Sequence, residues 1–272
     1  FTSSISRSLT DALRHLSQHY GVTLFMTLLA AFKILLYRYT GQTDLTVGSP
    51  IANRSRPELE SLIGVFINTL ALRTDLSGSP TFKEVLERVR EVALGAYAHQ
   101  DVPFELVVEK LQVERDLSHN PVFQVMLVLQ NAPKQTIRLP GLTFESLEVH
   151  SNTSTFDLTL NLTEIPDGMH VSVEYATDLF KADTIRRLLE NWEMLLKAVV
   201  ANPEQSIDTL PLITESEQKK ILVEFNQDPF VPMPEKLVHQ SIFSRTSGLE
   251  SIAVTGRTDD EDGRDLTYRE LV

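Results

Sequence analysis

The stretch GVTLFMTLLAAFKILLYRYTG, residues 21–41, is an apolar run whose interpretation decides the fold class. Lys33 interrupts it, and the part from Val22 to Leu36 is shorter than the roughly 20 residues that cross a bilayer. Thr23 is placed to cap the start of a helix, and Gly41 is placed to end it. A helix that is apolar on nearly every face usually lies inside a large domain. The run therefore predicts a core helix and not a membrane span.

Helix and strand patterns flank this run. An amphipathic helix ends at Gly21, and the stretches DLTVGSPIA and FINTLALRTDL read as strands. Thr81 and Glu84 form a capping box that opens a long helix. PVFQVMLVLQ predicts a strand covered on both faces, because it is almost continuously apolar.

The later part of the chain adds a hairpin and a helix. Strict alternation from Phe156 to Leu162, followed by IPDG and HVSVEYA, predicts a β-hairpin. An amphipathic helix then runs to Pro203. Strands and helices alternate without a strict βαβα rhythm, so the predicted fold class is α/β, with a mixed β-sheet and packed helices.

The pattern changes after residue 205. Short elements lead into QDPFVPMPEK, whose three prolines are typical of an extended linker. SIAVTG and LTYREL predict the first strand and helix of another domain. We therefore predict a lobe over residues 1–205, a linker over 206–236 and the truncated start of a second domain over 237–272.

Composition excludes several functions. The 272 residues carry 37 acidic and 25 basic side chains, a net charge of −12, so we expect no nucleic-acid partner. The chain has no cysteine, which excludes disulfides, thiolate metal sites and a cysteine nucleophile. It opens on FTSSISRS, without Met or a signal peptide, and this indicates a piece of something longer.

Three side chains that can move protons, His99, Asp101 and Glu105, lie within AHQDVPFELVVEKL, residues 98–111. They form either a general acid–base cluster or a helix junction. In the junction, Gln100 and Asp101 cap a helix that begins at Pro103, and His99 closes the preceding helix. Sequence proximity alone favours the junction, because adjacent residues there point in different directions.

Other candidate sites are weaker. His15 and His19 have the i, i+4 spacing of two metal ligands, but Leu16 stands where the HExxH motif needs glutamate, so a solvated helix face is favoured. GxSxG, Walker and GxGxxG motifs are absent from the sequence. Arg73 shares a strand face with Thr69 and Ala71, and it either points inward toward a carboxylate or lies at the strand's exposed end.

Three stretches resemble signatures of the condensation domains of nonribosomal peptide synthetases. The first signature, IGVFINTLALR (63–73), is similar to Ile-Gly-x-Phe-Val-Asn-Thr-x-x-x-Arg, with Ile67 in place of Val. The second, HQDVPFE (99–105), is similar to His-Gln-Asp-x-Pro-Phe-Glu in full, and the third, RDLSHNPVFQ (115–124), resembles Arg-Asp-x-Ser-Arg-Asn-Pro with His119 in place of Arg. The matching residues are Gly64, Phe66, Asn68, Thr69, His99, Gln100, Asp101, Pro103, Phe104, Glu105, Arg115, Asp116, Ser118, Asn120 and Pro121.

The likeness covers nearly the whole chain. YTGQTDLTVGSPIANR, FDLTL and DTLPLITESEQKKILVEFN are also similar to segments of the family, and LTYREL resembles the first signature of an adenylation domain.

The resemblance implies an acyl-transfer enzyme built from two chloramphenicol-acetyltransferase-like lobes. In that family, an upstream and a downstream peptidyl carrier domain bring thioesters on phosphopantetheine arms into a tunnel between the lobes, and the acceptor amine attacks the donor thioester. The catalytic signature, His-His-x-x-x-Asp-Gly, belongs to the first lobe, and this chain contains no His-His pair.

The chain therefore resembles the second lobe, followed by a linker and the start of an adenylation domain. It is expected to be cytoplasmic, to contain no catalytic residue, to bind no cofactor or metal itself, to contact no membrane, and to be inactive without the N-terminal lobe.

The resemblance also gives Arg73 a role. The corresponding arginine in the family pairs with the aspartate of the catalytic signature and ties the lobes together. A buried arginine without its partner is costly, so Arg73 is expected either to lack a partner in this chain or to be solvated at an exposed surface. Alternatives within the superfamily are heterocyclisation and epimerisation domains, although LTYREL argues against the latter. A carrier-binding scaffold without catalysis is an alternative of another class.

Overall fold

The chain forms two compact units, Phe1–Gln218 and Lys219–Val272. The structure, a computed structural model, describes residues 1–54, 57–60, 62–112, 120–130, 142, 153–227, 240, 250–255 and 265–271.

The first unit is built on a six-stranded mixed sheet in the order β1-β6-β5-β4-β2-β3. The pairs β2–β4 and β4–β5 are parallel, and the others are antiparallel. Its strands are β1 (Thr2–Ser6), β2 (Asp44–Ile51), β3 (Asn68–Asp75), β4 (Val125–Gln130), β5 (Leu158–Ile165) and β6 (Gly168–Tyr175).

The central helix α2 (Leu24–Thr40) lies in the core of this unit, and its residues from Met26 to Leu35 are all buried. It packs against β2 and three other helices. The other helices of the unit are α1 (Arg7–His19), α3 (Pro57–Glu60), α4 (Phe82–Ala98), α5 (Phe104–Leu111), α6 (Ala182–Ala201) and α7 (Glu215–Leu222), of which α7 crosses the boundary between the units.

The predicted core helix is confirmed. The Thr23 side chain accepts a hydrogen bond from the Met26 amide, and Gly41 ends the helix with a φ of 71°. Among the described residues, no single helix has the length and hydropathy of a membrane span. Only α1 and α2 taken together meet that test, and they are bent by 104°.

Most other sequence predictions of elements are confirmed. The capping box of Thr81 and Glu84 opens α4, β5 and β6 form the predicted hairpin, and β4 lies between β2 and β5. The edge strand β1 was missed, because TSSIS is polar and only Ile5 in it is buried. It forms nevertheless, because β6 offers it a complete antiparallel partner.

The second unit contains two short antiparallel strands, β7 (Ile252–Thr255) and β8 (Asp265–Thr267), followed by α8 (Tyr268–Leu271). The predicted strand and helix are therefore present. The first unit includes the buried Ile207 and Leu210 and reaches Gln218, beyond the predicted lobe end at residue 205. The assignment of 206–236 as linker and of 237–272 as an adenylation domain stays a prediction.

Lys33 in the middle of α2 is completely buried. Its Nζ donates to the carbonyl oxygens of Leu45 (3.2 Å) and Leu72 (2.6 Å) and lies 2.7 Å from Thr74 Oγ1. Burial lowers the pKa of Lys33 to about 7. A neutral amine still has two protons for the carbonyls and accepts from the threonine hydroxyl. Lys33 therefore ties the core helix to both β2 and β3 in either protonation state.

We expect Lys33 to give the stability of the first unit a specific pH dependence. The unfolded chain keeps the Lys33 proton up to about pH 10.5 and the folded chain only to about 7, so between these values stability rises with pH. From pH 7 to 9 this contribution is on the order of 2 kcal/mol. Urea unfolding followed by the fluorescence of Trp192, the single tryptophan, should show this rise in the wild type but not in Lys33→Met.

Lys83→Met is the matched control, since Lys83 lies at the surface in an ion pair with Glu204. It should keep the wild-type rise. Parallel profiles for the wild type and Lys33→Met would contradict the buried position of this amine.

Candidate functional site

The connection between β2 and β3 and the junction between α4 and α5 enclose an open pocket of about 320 Å³. Residues 65–69 form one wall, which we call the strand wall. Asp101, Pro103, Phe104 and Glu105 form the other, the helix wall, and Asn53 also lines the pocket. The first and second signatures therefore meet at one place, although they lie far apart in the sequence.

The Asn68 carboxamide joins the two walls. Its Nδ2 donates to the carbonyl oxygens of Gln100 and Val102, at 2.7 Å each. Its Oδ1 accepts from the amides of Phe104 (3.1 Å) and Thr69 (2.9 Å). Both donors and both acceptor positions of the carboxamide are used, so its orientation is fixed.

Arg54 holds the loop that leads into the strand wall. Its guanidinium donates to the carbonyl oxygens of Leu59, Leu62 (3.0 Å) and Gly64 (3.1 Å), and it lies 4.4 Å from the centre of the Phe66 ring. These contacts order the loop through its backbone and one aromatic ring.

The same loop carries three exposed β-branched side chains at alternate positions. Ile63, Val65 and Ile67 are 104%, 91% and 67% exposed. We call these three residues the apolar ridge. A contiguous apolar surface on an ordered loop is typical of an interaction site.

An aromatic stack supports the helix wall from behind. The Phe104 and Phe123 rings lie 5.4 Å apart, and Phe123 stacks on Phe156 at the same distance. The Phe123 ring also lies directly on Gly48 in β2, where a Cβ would overlap it. Val122 reaches this arrangement through a turn with a φ of 72°, closed by a bond from the Phe123 amide to the Pro121 carbonyl (2.9 Å). A β-branched residue at positive φ is strained, so the packing of Phe123 holds the turn in place.

The comparisons with known proteins agree with these contacts. The condensation domain family matches residues 1–222. The chain belongs to the condensation domain family. A protein of the linear gramicidin synthase of Brevibacillus parabrevis is 53% identical over 246 residues, which are 88% of this chain and 5% of that protein. The chain thus spans a small part of the length of the curated relatives it matches.

Solved condensation-type structures share the fold. A four-domain nonribosomal peptide synthetase bound to AMP and glycine superposes with a TM-score of 0.76 at 23% identity, over all of this chain and 21% of that one. The X-domain from teicoplanin biosynthesis, in its complex with OxyB, gives a TM-score of 0.71 at 32% identity, over 79% of this chain and 48% of that one. The predicted chloramphenicol-acetyltransferase-like fold is confirmed.

The structure decides between the two interpretations of the second signature in this condensation domain. His99 is the C-cap residue of α4, as the helix junction requires, and it does not line the pocket. Asp101 and Glu105 do line it, but both are exposed. The prediction that Gln100 and Asp101 cap α5 is wrong, because α5 begins after Pro103 and the Phe104 amide is bound by Asn68 instead.

Hydrogen-bond acceptors dominate the chemistry of the pocket. Asp101 and Glu105 contribute carboxylates, and Asn53 contributes a buried carboxamide oxygen that has no partner among the described residues. A group that donates hydrogen bonds, such as an amine or an amide N–H, therefore suits this pocket.

The third signature is described only at its end. Asn120 donates to the Thr155 carbonyl (2.6 Å), and its own carbonyl accepts from Gln124 (3.0 Å), so this part fixes the loop before β4. Arg115, Asp116 and Ser118 lie outside the described residues.

Arg73 corrects the expectation of a missing partner. Its Nε lies 2.9 Å from Asp44 Oδ1 and its Nη2 lies 2.6 Å from Oδ2, which is a bidentate pair within this chain. The expectation that it lacks a partner is therefore wrong. The guanidinium is nevertheless 74% exposed, so it points outward, in agreement with the alternative of a solvated arginine. Hydrogen bonding from Arg73 lowers the pKa of Asp44.

Sequence reasoning missed several residues around the pocket. Asp44, Gly48, Asn53 and Arg54 all lie in YTGQTDLTVGSPIANR, a stretch with a family likeness but without an assigned role. The signal that marked them was that likeness. Their contacts depend on partners distant in the sequence, which no local pattern reveals.

Gly48→Ala should destabilise the first unit by about 1–3 kcal/mol, because the added methyl group overlaps a ring that is held on both faces. Gly95→Ala is the matched control, since nothing lies within 4 Å of its Cβ position inside α4. It should stabilise by about 0.5–1 kcal/mol. Urea unfolding measures both, and a Gly48→Ala variant as stable as the wild type would contradict the position of Phe123.

Proposed function

We propose that the chain is the C-terminal lobe of a condensation domain that forms an amide bond within a nonribosomal peptide synthetase. The acceptor amine nitrogen attacks the donor thioester carbonyl carbon, the C–N bond forms and the C–S bond breaks. The departing sulfur leaves as the thiol of the donor's carrier arm, and the amine gives up one proton.

The observation that carries this proposal is the meeting of the first two signatures at one acceptor-rich pocket. An acceptor amine is a hydrogen-bond donor, which is the kind of group this pocket suits. The family assignment and the relatedness to linear gramicidin synthase support the same reading.

The proposed partners follow from this reaction. They are the N-terminal lobe with its His-His-x-x-x-Asp-Gly signature, an upstream and a downstream peptidyl carrier domain with phosphopantetheine arms, and an adenylation domain that begins in 237–272. The synthetase is cytoplasmic in this proposal. The chain supplies no catalytic base, so on its own it is inactive.

The decisive experiment uses the complete domain, with the N-terminal lobe encoded before this chain. Donor and acceptor thioesters are loaded on carrier domains, and the acceptor carrier is analysed by mass spectrometry. We expect an amide product that disappears when the second histidine of the signature is replaced by alanine.

The other interpretations give other results. A product lighter by one water indicates heterocyclisation, and an inverted substrate centre without an amide indicates epimerisation. Carrier binding without any product indicates a scaffold. Each of these outcomes contradicts the proposed reaction, and none of these alternatives is favoured by the comparisons.

We also propose that Arg73 binds a carboxylate of the N-terminal lobe. Its guanidinium is exposed, and only Nε and Nη2 are bonded to Asp44, so Nη1 remains to meet a second carboxylate. Asp44 then orients Arg73 before the lobes meet.

Arg73→Ala in the complete domain should lower the rate of amide formation at least 10-fold, whereas Asp44→Asn should lower it much less, since the proposed partner lies in the other lobe. The stability of the chain alone should change little in either variant, because an exposed ion pair contributes about 0–1 kcal/mol. Arg186→Ala, which removes an exposed pair with Asp183 on α6, is the control. Equal rates for Arg73→Ala and Arg186→Ala would contradict the inter-lobe role.

A further inference from the structure

Asn68 is the first residue of β3, and its side chain spans the space between the strand wall and the helix wall. Within the described residues, the hydrogen bonds that join 62–69 to 99–106 all use its carboxamide. The distance between the walls is therefore set by one side chain.

Each of these bonds falls on a backbone group that local structure leaves open. The Phe104 amide is at the start of α5, where amides have no partner within the helix. Pro103, the N-cap residue, has no side-chain group to accept that bond. Gln100 and Val102 lie in the turn between α4 and α5, and their carbonyl oxygens point at Asn68 Nδ2. A remote residue thus caps the helix that carries Glu105.

The helix wall is held at a second point by the aromatic stack. The Phe104 ring packs on Phe123 while the Phe104 amide binds Asn68. Two contacts on one residue fix both the position and the direction of the start of α5. The carboxylate of Glu105, the next residue, is placed at the pocket by the same two contacts.

We infer that Asn68 is a positioning residue for the condensation reaction: it holds the helix wall at the separation from the strand wall that the reacting amine requires. This inference rests on the proposed function. A displacement of about 1 Å between reacting groups costs on the order of 100-fold in rate, so loss of these bonds should affect turnover far more than folding.

The test compares Asn68→Ala with Asn191→Ala in the complete domain. Asn191 is equally suitable for removal of a buried amide, since it is 3% exposed, donates to the Tyr39 hydroxyl (2.8 Å) and does not line the pocket. Melting temperature, kcat and KM for the carrier-bound substrates are measured well below both melting temperatures. We expect Asn68→Ala to lose about 100-fold in kcat with KM within a few-fold, and Asn191→Ala to keep its kcat within about 2-fold.

Asn68→Asp provides a second variant in case alanine prevents folding. It keeps the acceptor for Phe104 and Thr69, but it places a carboxylate oxygen against the carbonyls of Gln100 and Val102. It should lose at least 10-fold in kcat.

The outcomes separate cleanly. If both asparagine sites lose kcat only in proportion to their melting temperatures, Asn68 is structural and the inference is overturned. If the wild-type domain makes no amide, the proposed function fails, and the inference falls with it.

Discussion

The carboxamide of Asn68 makes four hydrogen bonds, and through them it sets the geometry of the pocket. Two family signatures that are separated by a strand and a long helix meet at this side chain. The constraint is severe because an amide offers two donors and two acceptor positions, and here all four are used. Replacing it by any other residue leaves at least one buried backbone group without its partner.

The position of Asn68 depends in turn on the pairing of β2 with β3. Asn68 faces Ile51 at one end of this pair, and Lys33 binds the other end through Leu45, Leu72 and Thr74. A one-residue slip would turn Asn68 away from the helix wall. The buried amine and the packing of Phe123 on Gly48 both fix β2 in the sheet. The core helix therefore serves the site, although it lies outside the pocket.

Local sequence patterns were sufficient for the elements and insufficient for their contacts. The core helix and the α4 capping box could be predicted because their signals lie within one helix. Strand β1 could not, because a polar edge strand is stabilised by its neighbour and not by its own side chains. The Arg73–Asp44 pair is a diagonal contact across β2 and β3, so it becomes visible only once the register is known. The four bonds of Asn68 depend on tertiary structure in the same way.

The most direct test of the central claim is amide hydrogen exchange of Phe104, measured by NMR. As the first residue of α5 it would ordinarily exchange freely, and the neighbouring Glu105 amide, which meets no acceptor among the described residues, provides the comparison. Binding to Asn68 predicts that the Phe104 amide is protected and that the Glu105 amide is not. Equal, fast exchange of the two amides would show that Asn68 does not hold the helix wall.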